Sequence, residues 1–491
     1  LAENIKFGKI IAQRVNRKIL SPYLFLITCS LFLLSSVALQ AAPKKHDIKF
    51  TIKGIKNTIC FLGGHYGDHD YIYDTAKVDD KGNFEFSGDK DLDGGVYFII
   101  SAQKKKLFEF IIDKDQKFSM ATDTVDYAKD MKVQGSEENR LFYEYQNYAE
   151  ATHVKMDSLA KLMKDTAHKA SAKIQLDTLS HVGKRYRTDF IAKHSDMLMA
   201  KILNTVEEPV VPPTPKLANG RPDSTFSFRY YKAHFFDNVD FSDPRLIHTT
   251  VFFPKIKEYL NKLTPPDPDS VIVAVDYLIG KAGNDKEMFK FLVQYIIYTY
   301  ENSEIMGMDA VFVHMAKKYY TPELATWVSA TQLERVKERA DQIEPILIGK
   351  HALPLVLPDT NNVMQSLDSV KAEYTIIYFW DYDCGHCQKE TPVLIEWYDS
   401  IKAEGVQVYA VQTNSTGVDK WKNYIKAHKL DWINVMDIYK TSNFRHDYDI
   451  ATTPMIYVLD ANKKIIAKKI DVENLNKVMR HFMERKNKGN K

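Results

Sequence analysis

Cysteine is scarce in this chain: four residues in 491. So few cannot staple a disulfide-rich scaffold of this length. Glycine and proline are also sparse, at 20 and 18 residues, which excludes fibrous and low-complexity classes. Charge of one sign is nearly absent, with a formal net charge of +3. Five bases and one acid fall within residues 1–42, so the remainder is close to neutral. A neutral body gives no electrostatic case for a nucleic-acid partner. Long apolar runs are missing too. The longest, Tyr23–Leu39, is short for a membrane span and is broken by Thr28, Ser30, Ser35 and Ser36.

That run has an address-like frame. Arg14, Arg17 and Lys18 precede it, and Ala41 and Ala42 follow it. A basic region, an apolar core and a small-residue exit predict a secretory signal peptide over residues 1–42, with an N-terminal anchor as the alternative. Export to the periplasm or another extracytoplasmic space would leave Cys60, Cys384 and Cys387 where disulfides persist.

With 45% hydrophobic and 27% charged residues, the length allows two to four globular domains. Residues 43–135 read as a small β-sandwich-like domain. Ile48, Phe50 and Ile52 alternate with polar residues, and Lys81-Gly82-Asn83 is expected to join Tyr71–Val78 to Phe84–Phe86 as a hairpin. Cys60 reads as a buried structural thiol, and His65, Asp68 and His69 as a polar hairpin loop rather than a metal site. Residues 136–345 read as all-α. Ser136 is placed to cap a first helix, and Leu141, Tyr145, Tyr148, Thr152, Met156, Leu159 and Met163 form one face, expected to be core. Proline clusters at Pro209–Pro215 and Pro265–Pro268 mark loops. The aromatic stretch Phe226–Phe241 is expected to be buried. Residues 346–491 alternate strand and helix around the apolar run Thr375–Trp380, an α/β pattern with a parallel core and a final antiparallel hairpin.

The chemistry concentrates at one strand-to-helix turn, Trp380-Asp381-Tyr382-Asp383-Cys384-Gly385-His386-Cys387. A Cys-x-x-Cys pair opening a helix exposes its first sulfur to unpaired N–H groups and the positive end of the dipole, which stabilise a thiolate. The second sulfur lies one turn on and can resolve a mixed disulfide. His386 is expected to add positive charge beside Cys384, with Asp381 and Asp383 opposing it. A zinc site needs four ligands, and no second Cys pair exists. A structural disulfide over so short a loop would constrain little of the unfolded chain.

On these motifs, residues 350–485 resemble the thioredoxin superfamily, and within it the exported TlpA/ResA-like thiol-disulfide oxidoreductases. Trp380 stands four residues before Cys384, Pro392 eight after it, and Thr453-Pro454 matches the cis-proline turn that faces the active site. The resemblance implies a thioredoxin-like fold and the redox-active pair Cys384–Cys387, with Glu390 handling the proton of Cys387. It also implies substrate contacts at Trp380, His386, Thr453 and Pro454. The implied partners are protein thiols and disulfides and a membrane electron donor, without a dissociable cofactor or metal. The chain departs from the pattern in having Tyr378 where thioredoxins bury an Asp, and Asp383 where Trp is usual. Gly385-His386 matches the dipeptide of protein disulfide isomerases. That dipeptide favours the thiolate while the two Asp residues offset it, so a potential of about −200 to −250 mV and a reductase or isomerase role are expected. The front regions resemble uncharacterised domains attached to such modules in Bacteroidetes-type bacteria. Two rival readings are a redoxin-type peroxidase, which would need a Thr and Pro just before a lone Cys, and a surface ligand-binding protein with a vestigial redox domain. Since motif and turn lie within 346–491, that segment is expected to fold alone, with the front regions acting on location or partner choice.

Overall fold

The computed structural model describes residues 44–489; residues 1–42, expected to be a signal peptide, lie outside the described residues. Eight strands open the described chain: β1 (His46–Lys53), β2 (Thr58–Tyr66), β3 (His69–Val78), β4 (Asn83–Gly88), β5 (Gly95–Ser101), β6 (Lys106–Ile112), β7 (Lys117–Asp123) and β8 (Lys132–Gln134). They form two four-stranded sheets, ordered β4-β1-β7-β8 and β3-β2-β5-β6. The period-2 pattern of β1 puts Ile48, Phe50 and Ile52 into the shared core with Phe86 and Phe110. Cys60 is buried in that core, and burial pushes its thiol up to about 11.

The expected hairpin at Lys81-Gly82-Asn83 does not form. β3 pairs with β2 and β4 with β1, so this turn carries the chain from one sheet to the other. The Asp79 carboxylate accepts from the N–H groups of Lys81 and Asn83 at 2.8 and 2.7 Å, which shapes the step. Gly82 has φ +85°, and a Cβ there would lie 2.2 Å from the Ile52 carbonyl oxygen. Gly67-Asp68 does close a hairpin, between β2 and β3.

The helices that follow are α1 (Glu137–Leu162), α2 (Lys169–Lys193), α3 (Leu198–Thr205), α4 (Phe226–His234), α5 (Phe252–Asn261), α6 (Pro268–Lys281), α7 (Lys286–Glu301), α8 (Asp309–Lys318) and α9 (Ala330–Ile343). Ser136 caps α1, its hydroxyl accepting from the Asn139 N–H at 3.3 Å. The Leu141–Met163 face is half-buried, not core, because most of it packs only against the antiparallel α2. Of the aromatic stretch, Phe235, Phe236 and Phe241 are buried while Phe228 is exposed. Pro268 is not a loop residue. It opens α6, where a missing N–H costs nothing, and Asp267 caps that helix. The helical core takes in Val96 and Ile111, so β5 and β6 are covered on both faces.

The last third holds β9 (Val356–Pro358), β10 (Met364–Ser366), β11 (Tyr374–Trp380), α10 (Gly385–Ile401), β12 (Val406–Gln412), α11 (Val418–His428), β13 (Ile433–Met436), α12 (Phe444–Asp447), β14 (Met455–Asp460), β15 (Ile465–Ile470) and α13 (Val472–Gly489). The sheet order is β13-β12-β11-β14-β15. β11, β12 and β13 run parallel, and β14 and β15 are antiparallel, as a thioredoxin-like fold requires. Every residue of β11 is buried. Tyr378 and Trp380 face the side shared with α10 and α13, while Ile377 and Phe379 face the other with Phe444 and Tyr448. No described helix is long and apolar enough to cross a membrane.

Candidate functional site

β11 ends at Trp380 and the chain turns through Asp381–Asp383 into α10. Cys384 is the N-cap of that helix, with extended backbone (φ −82°, ψ 122°), so its sulfur sits where the first N–H groups of α10 are unpaired. Cys384 is partly exposed and Cys387 fully buried; both are free thiols. Burial raises the Cys384 thiol, but hydrogen bonds from the Cys387 N–H, the Thr453 side chain, the Cys387 thiol and the His386 N–H outweigh it, and its pKa falls below the ordinary 9.0. For Cys387, burial dominates and pushes the pKa up to about 12, although the Asp381 N–H donates to its sulfur at 3.4 Å. One turn of helix thus separates an accessible sulfur that ionises easily from a sheltered one that does not.

Thr453-Pro454 is a cis peptide bond, and the Cys384 thiol donates to the Thr453 carbonyl at 3.4 Å. The turn before β14 therefore stands directly against the first cysteine. His386 lies beside it, but it acts on the sulfur through its backbone N–H; its ring is exposed. Asp381 and Asp383 are tied into the turn itself. The Asp381 carboxylate accepts from Gln412 Nε2 at 2.9 Å and from the Asp383 N–H at 3.1 Å.

One expectation needs correction. Trp380 does not reach a substrate surface: it is fully buried, packed near Tyr378 and Tyr424, because the last residue of a strand covered on both faces points into the core. Glu390 is half-buried, and its hydrogen-bond partner is the Val472 N–H at 3.4 Å, at the start of α13, rather than Cys387. Burial raises its carboxyl pKa above the ordinary 4.5.

Sequence reasoning missed the polar group behind Cys387. Tyr378, Thr391 and Cys387 are all fully buried, and the Tyr378 hydroxyl lies 3.0 Å from Thr391 Oγ1. The signal was the tyrosine at an interior position of an otherwise apolar strand. Among the described residues, no group of three or more His, Cys, Asp or Glu side chains could hold a metal ion.

Residues 348–468 match the AhpC/TSA family. Residues 46–142 and 198–345 match two domains of unknown function, DUF4369 and DUF5106. Thiol-disulfide oxidoreductase ResA of Bacillus cereus is 28% identical over 125 residues, 26% of this chain and 70% of the relative. ResA of Bacillus subtilis is 26% identical over 123 residues, 25% and 67% of the two chains. A domain of a possible thiol-disulfide isomerase from Cytophaga hutchinsonii is 41% identical across 98% of its length and 29% of this chain, with a TM-score of 0.28. A thioredoxin-like protein from Bacteroides caccae is 19% identical and aligns over 56% of this chain and 99% of its own, with a TM-score of 0.43. The C-terminal part of the chain therefore belongs to the thioredoxin-like thiol-disulfide oxidoreductases related to ResA.

Proposed function

We propose that the chain is an exported enzyme that reduces or isomerises disulfides in other proteins through Cys384 and Cys387. The supporting observation is the split between the two sulfurs, one accessible with a lowered pKa and one buried with a pKa of about 12. The Cys384 thiolate attacks a substrate disulfide, forming a mixed disulfide and releasing one substrate thiolate. Cys387 then loses its proton and attacks Cys384 Sγ. This closes the Cys384–Cys387 disulfide and frees the second substrate sulfur. Two electrons pass from the dithiol to the substrate, and a donor outside the chain, by resemblance a membrane protein, must return them. Thr453 and Pro454 form the turn against which an extended substrate strand lies, with the exposed His386 on its border. Glu390, with its raised carboxyl pKa, takes part in moving the Cys387 proton.

The test is stopped-flow reduction of insulin in three variants. Cys384→Ala should lose all activity, and Cys387→Ala should form the mixed disulfide and stall there. Glu390→Gln should slow the second step by about tenfold or more and leave the first nearly unchanged. Native-rate insulin reduction by Cys384→Ala would refute the reading. Equal slowing of both steps would remove Glu390 from it. Equilibration with glutathione buffers should place the potential at about −200 to −250 mV, and a value above about −150 mV would point to an oxidase instead.

A further inference from the structure

The loop that presents Thr453 to Cys384 is not held by the thioredoxin-like part alone. Asp449 lies four residues before Thr453 and takes left-handed backbone, φ +52°. Its side chain is nearly buried, at 10% exposure. Arg339, on α9 of the helical region, grips that carboxylate with both ends of its guanidinium, at 2.6 and 3.0 Å. Lys469 of β15 reaches the same carboxylate at 2.9 Å. Arg339 also donates to Gln342 Oε1 at 2.8 Å, and Gln342 Nε2 donates to the His446 carbonyl at 2.9 Å. One face of α9 thus holds two points, His446 and Asp449, on the segment that leads into the Thr453-Pro454 turn.

Up to Ile450 the segment is also packed, with Phe444, Tyr448 and Ile450 buried and Arg445 donating to the Thr413 carbonyl at 2.9 Å; the stretch between Ile450 and β14 has fewer fixings. The β14 ladder begins only at Met455, and residues 451–454 lie in no helix or strand. Upstream, the Ile450 N–H donates to the Arg445 carbonyl at 2.8 Å, and the Tyr457 hydroxyl donates to the Tyr448 carbonyl at 2.6 Å. The placement of Thr453 is therefore set between the β14 ladder on one side and the Asp449 anchor on the other. A bidentate Arg–carboxylate pair suits such a task, because its two parallel bonds fix direction as well as distance.

We propose that Arg339 is a positioning residue for the redox site: through Asp449, and with Gln342 on His446, α9 sets the Thr453-Pro454 turn against Cys384, so the helical region tunes the reactivity of the cysteine. This rests on the thiol-disulfide reading above. The two groups facing the Asp449 carboxylate are Arg339 and Lys469, so removing Arg339 leaves it one cation and no link to α9.

The experiment uses the full-length reduced chain. The rate of Cys384 alkylation by iodoacetamide is followed against pH by mass spectrometry, and insulin reduction is measured in parallel. Arg339→Ala should move the alkylation midpoint upward by about half a pH unit or more, since the Thr453 side chain, unlike its carbonyl, favours the thiolate and is lost from Cys384 when the turn shifts. It should also lower kcat/KM for insulin about tenfold, chiefly through KM. Arg339→Lys should fall between the two, keeping the charge but losing the fork. The control is Asp309→Asn, which breaks a different buried pair between the same two regions, with Lys468. It should lower stability and leave the alkylation midpoint in place. An Arg339→Ala midpoint that superimposes on the parent would overturn the proposal, and so would an Asp309→Asn shift of equal size. Should Arg339→Ala fail to fold, Arg339→Lys and Gln342→Ala carry the same comparison. Alkylation needs no turnover, so a parent protein that does not reduce insulin counts against the thiol-disulfide reading while the midpoints still decide the positioning role.

Discussion

Single residues in this chain are tuned mostly by burial set against a few backbone N–H groups. Cys384 and Cys387 are three positions apart, yet one thiol falls below the ordinary value and the other is pushed up to about 12, because one caps the helix and the other is buried in its first turn. Glu138 shows the same balance away from the redox site. It is buried, its carboxylate accepts from the Met199 N–H at 2.8 Å, and burial still raises its pKa to about 7. Between about pH 4.5 and 7 the folded chain holds this proton while the unfolded chain has released it. Stability from this group is therefore greatest below pH 4.5 and falls as pH rises, by up to about 3 kcal/mol. Glu138→Gln should flatten that part of the pH–stability profile, measured by urea unfolding at fixed pH values. A profile unchanged by the substitution would mean that Glu138 ionises normally.

At the scale of elements, side chains finish what backbone pairing leaves open. β6 is the edge of its sheet, with no strand beyond it. Asn139, in the first turn of α1, supplies the missing partner: its Oδ1 accepts from the Ile111 N–H at 2.7 Å, and its Nδ2 donates to the Ile111 carbonyl at 2.6 Å. The amide reproduces a strand's pair of bonds and anchors the helix to the sandwich; the DUF4369 match, ending at residue 142, includes this turn. Asn139→Leu leaves both Ile111 groups buried and unpaired. It should cost about 2–4 kcal/mol, read by chemical denaturation. A loss under about 0.5 kcal/mol would show that water or another group replaces the amide.

At the scale of the whole molecule, residues 44–489 form one compact unit, and buried charge ties its regions together. Lys468 on β15 is 2% exposed. It pairs with Asp309 at the start of α8 and donates to the Ile346 carbonyl at 2.8 Å. Lys468→Met would strand the Asp309 carboxylate, which is 18% exposed, and should cost about 3 kcal/mol or more. The double variant Lys468→Met/Asp309→Leu should recover most of that loss. A double variant as unstable as the single would mean that packing rather than charge carries the effect. These links are the ground for proposing that the front regions bear on the redox site as well as on location or partner choice. Arg339, Gln342 and Asp309 all belong to the helical region, and all three hold groups of the thioredoxin-like part.

By itself the sequence determined the longer elements and the position of the Cys-x-x-Cys pair. Apolar periods of 2 and 3.6 are local, so β1, α1, β11 and the closing hairpin were legible, and so was Cys-x-x-Cys at a helix start. Short elements without a period, such as β9, β10 and β13, were not. Only the tertiary structure decided which strands pair across Lys81–Asn83, that Trp380 faces the core, and that Glu390 meets Val472. It also brought Arg339 to Asp449, 110 positions away in the chain. The physical reason is the same in each case: a side chain's partner is chosen by packing between distant segments, and no local pattern encodes that choice.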